Sequence, residues 1–371
     1  MVLSKSLKEQ YITDFLSQLE KDASIIVHYH HIQSYQDLKK SASDLLTQIT
    51  KPAPTKTTQP FEVRYSNSLH HFFLYFMPPP NYPFLLRIGN IILFGAFTGR
   101  HYTNLMISIP FSTSASETLN TVHHVFNHPR FSSFQDTISL RSILLRDIDH
   151  KVVNLIRKET NLGPFHLQSM KQIRYNIYDV NKTLNLHGES YANLRWHLNA
   201  FHNAGHSIQV VPLEKIKKPV VHLIGQWRKD ALQRRGFSWV DTRSDKQGID
   251  LVTEEPDQSI ITQISKDHPT KNTILSRILK IDGSIASFNL GFPLGILQTH
   301  PVFAHAIGIA DTSIPHIAEY AQYDFWKLIK QHGYQYINDG PSWRNSLETY
   351  KEKFRPFLKK DYYWATLTAP S

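Results

Sequence analysis

With 371 residues, 41% hydrophobic and 12% aromatic, the chain is long enough for two domains and apolar enough to give each a core, which excludes global disorder. It has no cysteine, so disulfides, thiolate metal sites and a cysteine nucleophile are excluded. Lysine and arginine outnumber aspartate and glutamate by 41 to 31, and the resulting charge of +10 attracts polyanions such as nucleic acid or phosphate.

Residues 1–21 are polar and Lys-rich with no apolar signal core, so no targeting segment is expected and the chain reads as cytoplasmic. An amphipathic helix is expected over 5–21, with Leu7, Tyr11, Phe15 and Leu19 as its stripe. A short strand follows over 24–31 and a second helix over 35–49. Residues 50–60, rich in Pro, Thr and Lys, read as a linker or long loop. Strands are expected over 61–65 and 72–77, before the Pro78-Pro79-Pro80 break. Two more, 82–88 and 91–97, are joined across Gly89-Asn90, a hairpin signal. The same stretch, Phe84–Phe97, is interrupted by Arg87, Gly89, Asn90 and Gly95 and so cannot be a spanning helix. A strand over 105–111 leads into a helix over 116–126. The alternating charge of 141–160 reads as a further helix, and 173–180 as a strand.

Thr183–Phe201 carries a second helical stripe, Tyr191, Leu194, Leu198 and Phe201, with Arg195 and Asn199 four apart on another face. A basic helix is expected over 220–235, bearing Arg228, Lys229, Arg234 and Arg235 around Trp227, a candidate phosphate-backbone surface. A second run of strands begins at 249–253. It continues as 275–281 and 284–290 around Asp282-Gly283, again a hairpin signature, and as the apolar run 302–310. The helix 317–332, with Phe325, Trp326 and Ile329, is stopped by Gly333, and 334–337 is the strand after it. Hairpin, strand, helix, strand therefore occurs twice. Asn338-Asp339-Gly340-Pro341 ends that last strand, and a short helix carrying Leu347, Tyr350, Lys351 and Phe354 runs to Arg355-Pro356.

Tyr350-Lys351-Glu352-Lys353-Phe354-Arg355-Pro356 resembles the aromatic-Lys-x-Lys-Phe-x-Pro signature of the phosphatidylglycerol lysyltransferase C-terminal-domain family, which is related to the Fem-type peptidyltransferases. Thr183–Phe201 is similar to that family's segment in which a Leu-x-Gly step opens a basic helix. The resemblance implies an α/β (α+β) chain of two tandem acetyltransferase-like (GNAT-like) domains, each a mixed sheet flanked by helices. The first spans 1–165. The second, 166–371, carries the active site. It also implies transfer of an amino acid from aminoacyl-tRNA to an amine or hydroxyl. Lys351 matches the family's lysine and is expected to hold the donor's phosphate or the developing oxyanion.

The residues themselves bear on the donor. An acetyltransferase binds its carrier's pyrophosphate at a Gly-rich turn between a strand and a helix. The equivalent stretches, Asp311–Ile317 and Ser112–Ser116, contain no glycine, and Pro315 lacks an amide hydrogen. This favours aminoacyl-tRNA as co-substrate, with no bound cofactor, over an acyl-CoA. Asp339 or Asp311 is then the candidate proton acceptor. Arg195, Asn199, Asn338, Arg344, Lys353 and Tyr350 are candidate donor-binding residues. The 21 histidines show no ligand spacing such as His-Glu-x-x-His, so no metal is expected. The expected partners are tRNA and a small-molecule or peptide acceptor, with room for peripheral contact with a membrane. Two alternatives stand beside this reading: an acyl-CoA-dependent N-acyltransferase, and a non-catalytic tandem module that binds RNA or another anion.

Overall fold

The computed structural model describes most of 5–41 and 69–108, half of 119–140, nearly all of 141–158, 166–233 and 274–368, and the pair 248–249. These residues divide into two compact units, one drawn from 1–57, 66–173 and 361–371, the other from 174–360. The sequence-based boundary lay between 165 and 166.

The first unit begins with α1 (Lys5–Leu19) and β1 (Ile25–His28), followed by α2 (Leu69–Phe76), β2 (Tyr82–Ile88), β3 (Ile91–Thr98) and β4 (Asn104–Ser108). After further helical turns come β5 (Ser142–Ile148), α3 (His150–Lys158) and β6 (His166–Asp179). Strands β1 to β4 form an antiparallel series, β4 and β5 pair in parallel, and the C-terminal strand β12 (Leu358–Thr368) lies antiparallel to β5. The β2–β3 register, Ile88 opposite Ile91, is that of the expected two-residue hairpin.

Three local expectations are corrected here. Residues 72–77 were expected as a strand, yet 72–76 lie in helix α2, because Leu69, Phe72, Phe73 and Phe76 repeat at three and four residues and the last three are buried. The helix expected over 141–160 is a strand, a turn and a helix. Alternating Ile143 and Leu145 are buried in β5, and Asp149 Oδ1 accepts the Lys151 and Val152 amides to start α3. In α1 the buried stripe is Ile12, Phe15, Leu16 and Leu19, whereas Leu7 and Tyr11 are exposed. The expected strand at 61–65 and the loop 50–60 lie outside the described residues, as does the strand expected over 249–253 except for Ile249, which is helical.

The second unit continues from β6 through α4 (Val180–Asn185), a single 3-10 turn (Glu189–Tyr191), α5 (Ala192–Asn203), β7 (Ile208–Val210) and α6 (Lys217–Gln233). Then come β8 (Leu275–Ile281), β9 (Ser284–Leu297), β10 (His300–Ala310), α7 (Ile317–Gln331), β11 (Tyr336–Ser342) and α8 (Asn345–Glu352). Its strands lie in the order β6-β11-β10-β9-β8-β7. Asp282 and Gly283, both at positive φ, form the β8–β9 turn. Strand β10 is antiparallel to β9 and parallel to β11, with α7 as the crossover. Gly333, at φ +86°, ends α7. The antiparallel meander, helix, parallel strand and helix of this unit repeat the order β2 to α3 of the first, so the expected repeat of hairpin, strand, helix and strand is present. Phe325, Trp326 and Ile329 of α7 pack with Tyr178, Leu194, Phe303 and Phe354 to form its core. Among the described residues no helix is long and apolar enough to cross a membrane.

Candidate active site

The parallel pairing of β10 with β11 covers only three positions, Val302–Ala304 against Tyr336–Asn338. One residue further on, both strands are irregular. The register of β10 against β9 shifts between His305 and Ile307, and that of β11 against β6 shifts between Asn338 and Pro341. Such bulges bend strands and re-aim side chains. Here they sit where the two strands part, and the side chains that follow the last paired residues, His305 and Asp339, face each other.

Asp339 Oδ1 is 3.1 Å from His305 Nδ1, and the two residues are 9% and 4% exposed. His305 Nε2 lies 3.0 Å from Asn289 Oδ1, and the Trp326 indole N–H points at His305 Nδ1 at 3.2 Å. Gln322 Nε2 donates to Asp339 Oδ2 at 3.3 Å, and the Tyr350 hydroxyl donates to Gln322 Oε1 at 3.0 Å. The array Asn289–His305–Asp339–Gln322–Tyr350 thus joins β9, β10, β11, α7 and α8. With Nε2 donating to Asn289, His305 Nδ1 either holds a second proton and donates to Asp339, or accepts from the indole while Asp339 keeps the proton.

Lys351 lies beneath this array. It is 4% exposed, and its ammonium donates to the backbone carbonyls of Asp339 and Gly340, the latter at 3.0 Å, with Asp339 Oδ2 at 3.9 Å. Burial pulls its pKa below the ordinary value, while Asp339 and Glu348 push the other way. Burial likewise raises the Tyr178 and Tyr350 phenols well above their ordinary value, and the Asp339 carboxylate adds to both shifts.

The other expected site residues are placed as follows. Asn338 is fully buried and its Oδ1 accepts the Gly340 amide, which shapes the bulge. Arg195 is held against its own loop, donating to the Leu186 carbonyl and, at 2.6 Å, to that of Gly188. Arg355 Nε closes the same loop on Ser190 O at 2.7 Å. Asn199 is exposed on α5. Lys353 pairs with Glu319 at 2.6 Å. Asp311 stands at the end of β10, where its Oδ1 accepts the Ser313 amide at 2.9 Å and the Ser313 hydroxyl at 2.7 Å. Arg344 lies outside the described residues.

Of the six backbone N–H groups of 311–317, three are engaged within the loop and that of Asp311 is taken by Ala286 O at 2.8 Å. The Ser313 amide is held by Asp311 Oδ1, the Ile314 amide by Asp311 O at 3.2 Å and the Ile317 amide by Ile314 O at 3.5 Å. Pro315 has none to offer. A pyrophosphate cradle needs several free amides aimed at one point, and here four of the six already have a partner.

His305, Asn289, Gln322 and Trp326 were not anticipated as site residues. His305 was nonetheless visible as the one titratable side chain inside the apolar run Val302–Ala310, where a buried imidazole requires partners.

No family model and no curated protein matches this chain. Among solved structures, a conserved protein of unknown function from Bacteroides thetaiotaomicron superposes with a TM-score of 0.56 at 15% identity, over 92% of this chain and 100% of the other. L-PGS from Bacillus licheniformis gives a TM-score of 0.44 at 15% identity, over 75% of this chain and 81% of its own. A tandem GNAT protein from the clavulanic acid biosynthesis pathway gives 0.46 at 8% identity, over 94% of this chain and 99% of its own. At such identities the first likeness concerns the fold alone.

Proposed function

We propose that the second unit is an aminoacyltransferase centre that moves an amino acid from aminoacyl-tRNA to an amine or hydroxyl acceptor. The observation that carries this reading is the buried Asp339–His305 pair at the point where β10 and β11 part. Asp339 takes the proton of the incoming nucleophile as the new bond to the ester carbonyl forms. The ester C–O bond then breaks, and the tRNA ribose oxygen leaves with the proton that Asp339 returns to it. His305, anchored by Asn289, holds the carboxylate in place. Lys351 is a positioning residue: its ammonium fixes the two carbonyls of the bulge that presents Asp339.

Three observations support tRNA rather than an acyl-CoA as donor. The loop before α7 has no glycine, and four of its six backbone amides already have a partner. The chain carries a charge of +10. Its 350–356 segment resembles that of a family whose donors are aminoacyl-tRNAs.

The test is a transfer assay with tRNA carrying a labelled amino acid, run beside a calorimetric titration with coenzyme A. Release of label from tRNA onto an added amine, abolished by ribonuclease and by Asp339→Asn, is the expected result. Complex formation should also weaken by an order of magnitude or more between about 50 and about 200 mM salt. Coenzyme A binding without tRNA affinity would instead make this an ordinary acyltransferase. Salt-dependent tRNA binding with no transfer to any amine or hydroxyl would make it a binding module.

A further inference from the structure

A second group of ligand-type side chains adjoins the Asp339 array through Lys353, whose ammonium stands 5.6 Å from the Tyr350 ring, and takes no part in the proposed transfer. His197 comes from α5, His316 is the residue immediately before α7, and Glu319 lies in the first turn of α7. The imidazoles meet Nδ1 to Nδ1 at 2.8 Å, and one ligand atom from each of the three residues lies within 4.8 Å of the others. Glu319 is 6% exposed, and the Lys353 ammonium is 2.6 Å from its Oε1. The indole of Trp196 stands against both imidazoles, with ring centroids 5.0 Å from each.

Two imidazole nitrogens this close must share either a proton or a cation, since two lone pairs would repel. A buried carboxylate beside them adds the negative charge that a cation would need. We propose that His197, His316 and Glu319 form a binding site for a divalent transition-metal ion of the zinc class, at which the Lys353 ammonium competes with the ion for Glu319.

The donor set argues for that class of ion. Two nitrogens and one carboxylate oxygen suit zinc and its neighbours, whereas magnesium and calcium prefer all-oxygen sites. Tetrahedral zinc with bonds of about 2.0–2.1 Å sets its ligands about 3.3 Å apart. The imidazole nitrogens must part by about 0.5 Å and the carboxylate close by up to about 1.5 Å. Three protein ligands leave the fourth position for water or a substrate group. The positive end of the α7 dipole opposes a cation, and the Glu319 carboxylate in the same turn offsets it.

The experiment uses the full chain, stripped with a chelator, and titrates it with Zn2+ by calorimetry and with Co2+ by visible absorption. One saturable equivalent is expected, with the absorption of four-coordinate Co2+. Affinity should fall at least ~10-fold in His197→Ala and in Glu319→Gln. It should rise in Lys353→Met, because the competing ammonium is gone. Circular dichroism checks that each variant is folded, and His197→Ala, half-buried on a helix, suffices if Glu319→Gln is not. The proposal is overturned by the lack of a stoichiometric equivalent. It is equally overturned by affinity unchanged in His197→Ala, which would place the ion elsewhere among the 21 histidines, or by weaker binding in Lys353→Met.

Discussion

His305 and Asp339 meet at 3.1 Å, each one residue beyond the last paired position of its strand. Parallel strands that stay paired hold such side chains in register on a common face. When the strands part, the gap between them must be filled, and here it is filled by an ionisable pair rather than by an aliphatic one. A buried carboxylate and imidazole with Asn289, Gln322 and Trp326 all directed at them make an expensive arrangement for packing alone.

Replacing Asp339 by Asn tests that relationship directly. The amide keeps the size of the side chain and leaves the Lys351 contacts to the backbone carbonyls in place. The rate of aminoacyl transfer should fall by ~100-fold or more, while tRNA affinity stays within about twofold. Single-turnover transfer and filter binding on the same preparation separate the two quantities.

Lys351 makes a different prediction because it acts through the backbone. In Lys351→Met the carbonyls of Asp339 and Gly340 lose their donor, at ~1–3 kcal/mol for each unsatisfied group, partly offset by the removal of a buried ammonium. The variant should unfold at lower urea concentration than the parent, and its residual transfer should show a reduced kcat at nearly unchanged KM. A stability equal to the parent's would mean that Lys351 does not hold the bulge.

Gly291 lies opposite His305 in the β9–β10 register, and a Cβ there would meet the Ala304 carbonyl oxygen at 2.1 Å. Backbone cannot yield as a flexible side chain does. Gly291→Ala should therefore cost ~1–3 kcal/mol and shift the strand carrying His305. Thermal unfolding and transfer rate should both fall, whereas the open turn glycine Gly205, at φ +71° with nothing near its Cβ, should cost less when changed to Asn.

Glu348 links stability to pH. Its Oε2 accepts from Asn176 Nδ2 at 2.9 Å. Burial raises its pKa, but the hydrogen bonds from Asn176 and Ser342, with Lys359 and Arg174 nearby, outweigh that and bring it below the ordinary 4.5. A carboxylate whose folded pKa is depressed adds stability that is fully present above the unfolded value and is lost as pH falls through the folded one. Denaturation midpoints from pH 6 down to about pH 3 should therefore fall less steeply in Glu348→Gln than in the parent. Parallel curves would remove Glu348 from the acid transition.

Much of the second unit was legible from local chemistry. Asp282-Gly283 and Gly333 occupy positions that require positive φ, and the 302–310 run is apolar enough for a central strand, so turn, cap and strand were each readable within a few residues. The stripe Tyr191, Leu194, Leu198 and Phe201 is buried as its spacing predicts. Misreadings fell where two periods compete over a short apolar run, as in 69–76, or where a capping aspartate splits a charged stretch, as Asp149 does.

The candidate site divides along the same line. Asp339 and Lys351 stood out through their own neighbours in the chain. His305, Asn289 and Gln322, and likewise His197 and His316 at 119 residues' separation, became partners only when strands and helices distant in sequence were brought together. Arg195, read as one face of a helix, is committed to the carbonyls of a loop that only the folded chain brings under it. Periodicity and turn chemistry are set by interactions a few residues long and are written in the sequence. Which polar groups share a buried space is set by strand pairing and bulges, and that was decided by the tertiary structure, because an unpaired polar group in the interior is stable only where a partner from elsewhere in the chain reaches it.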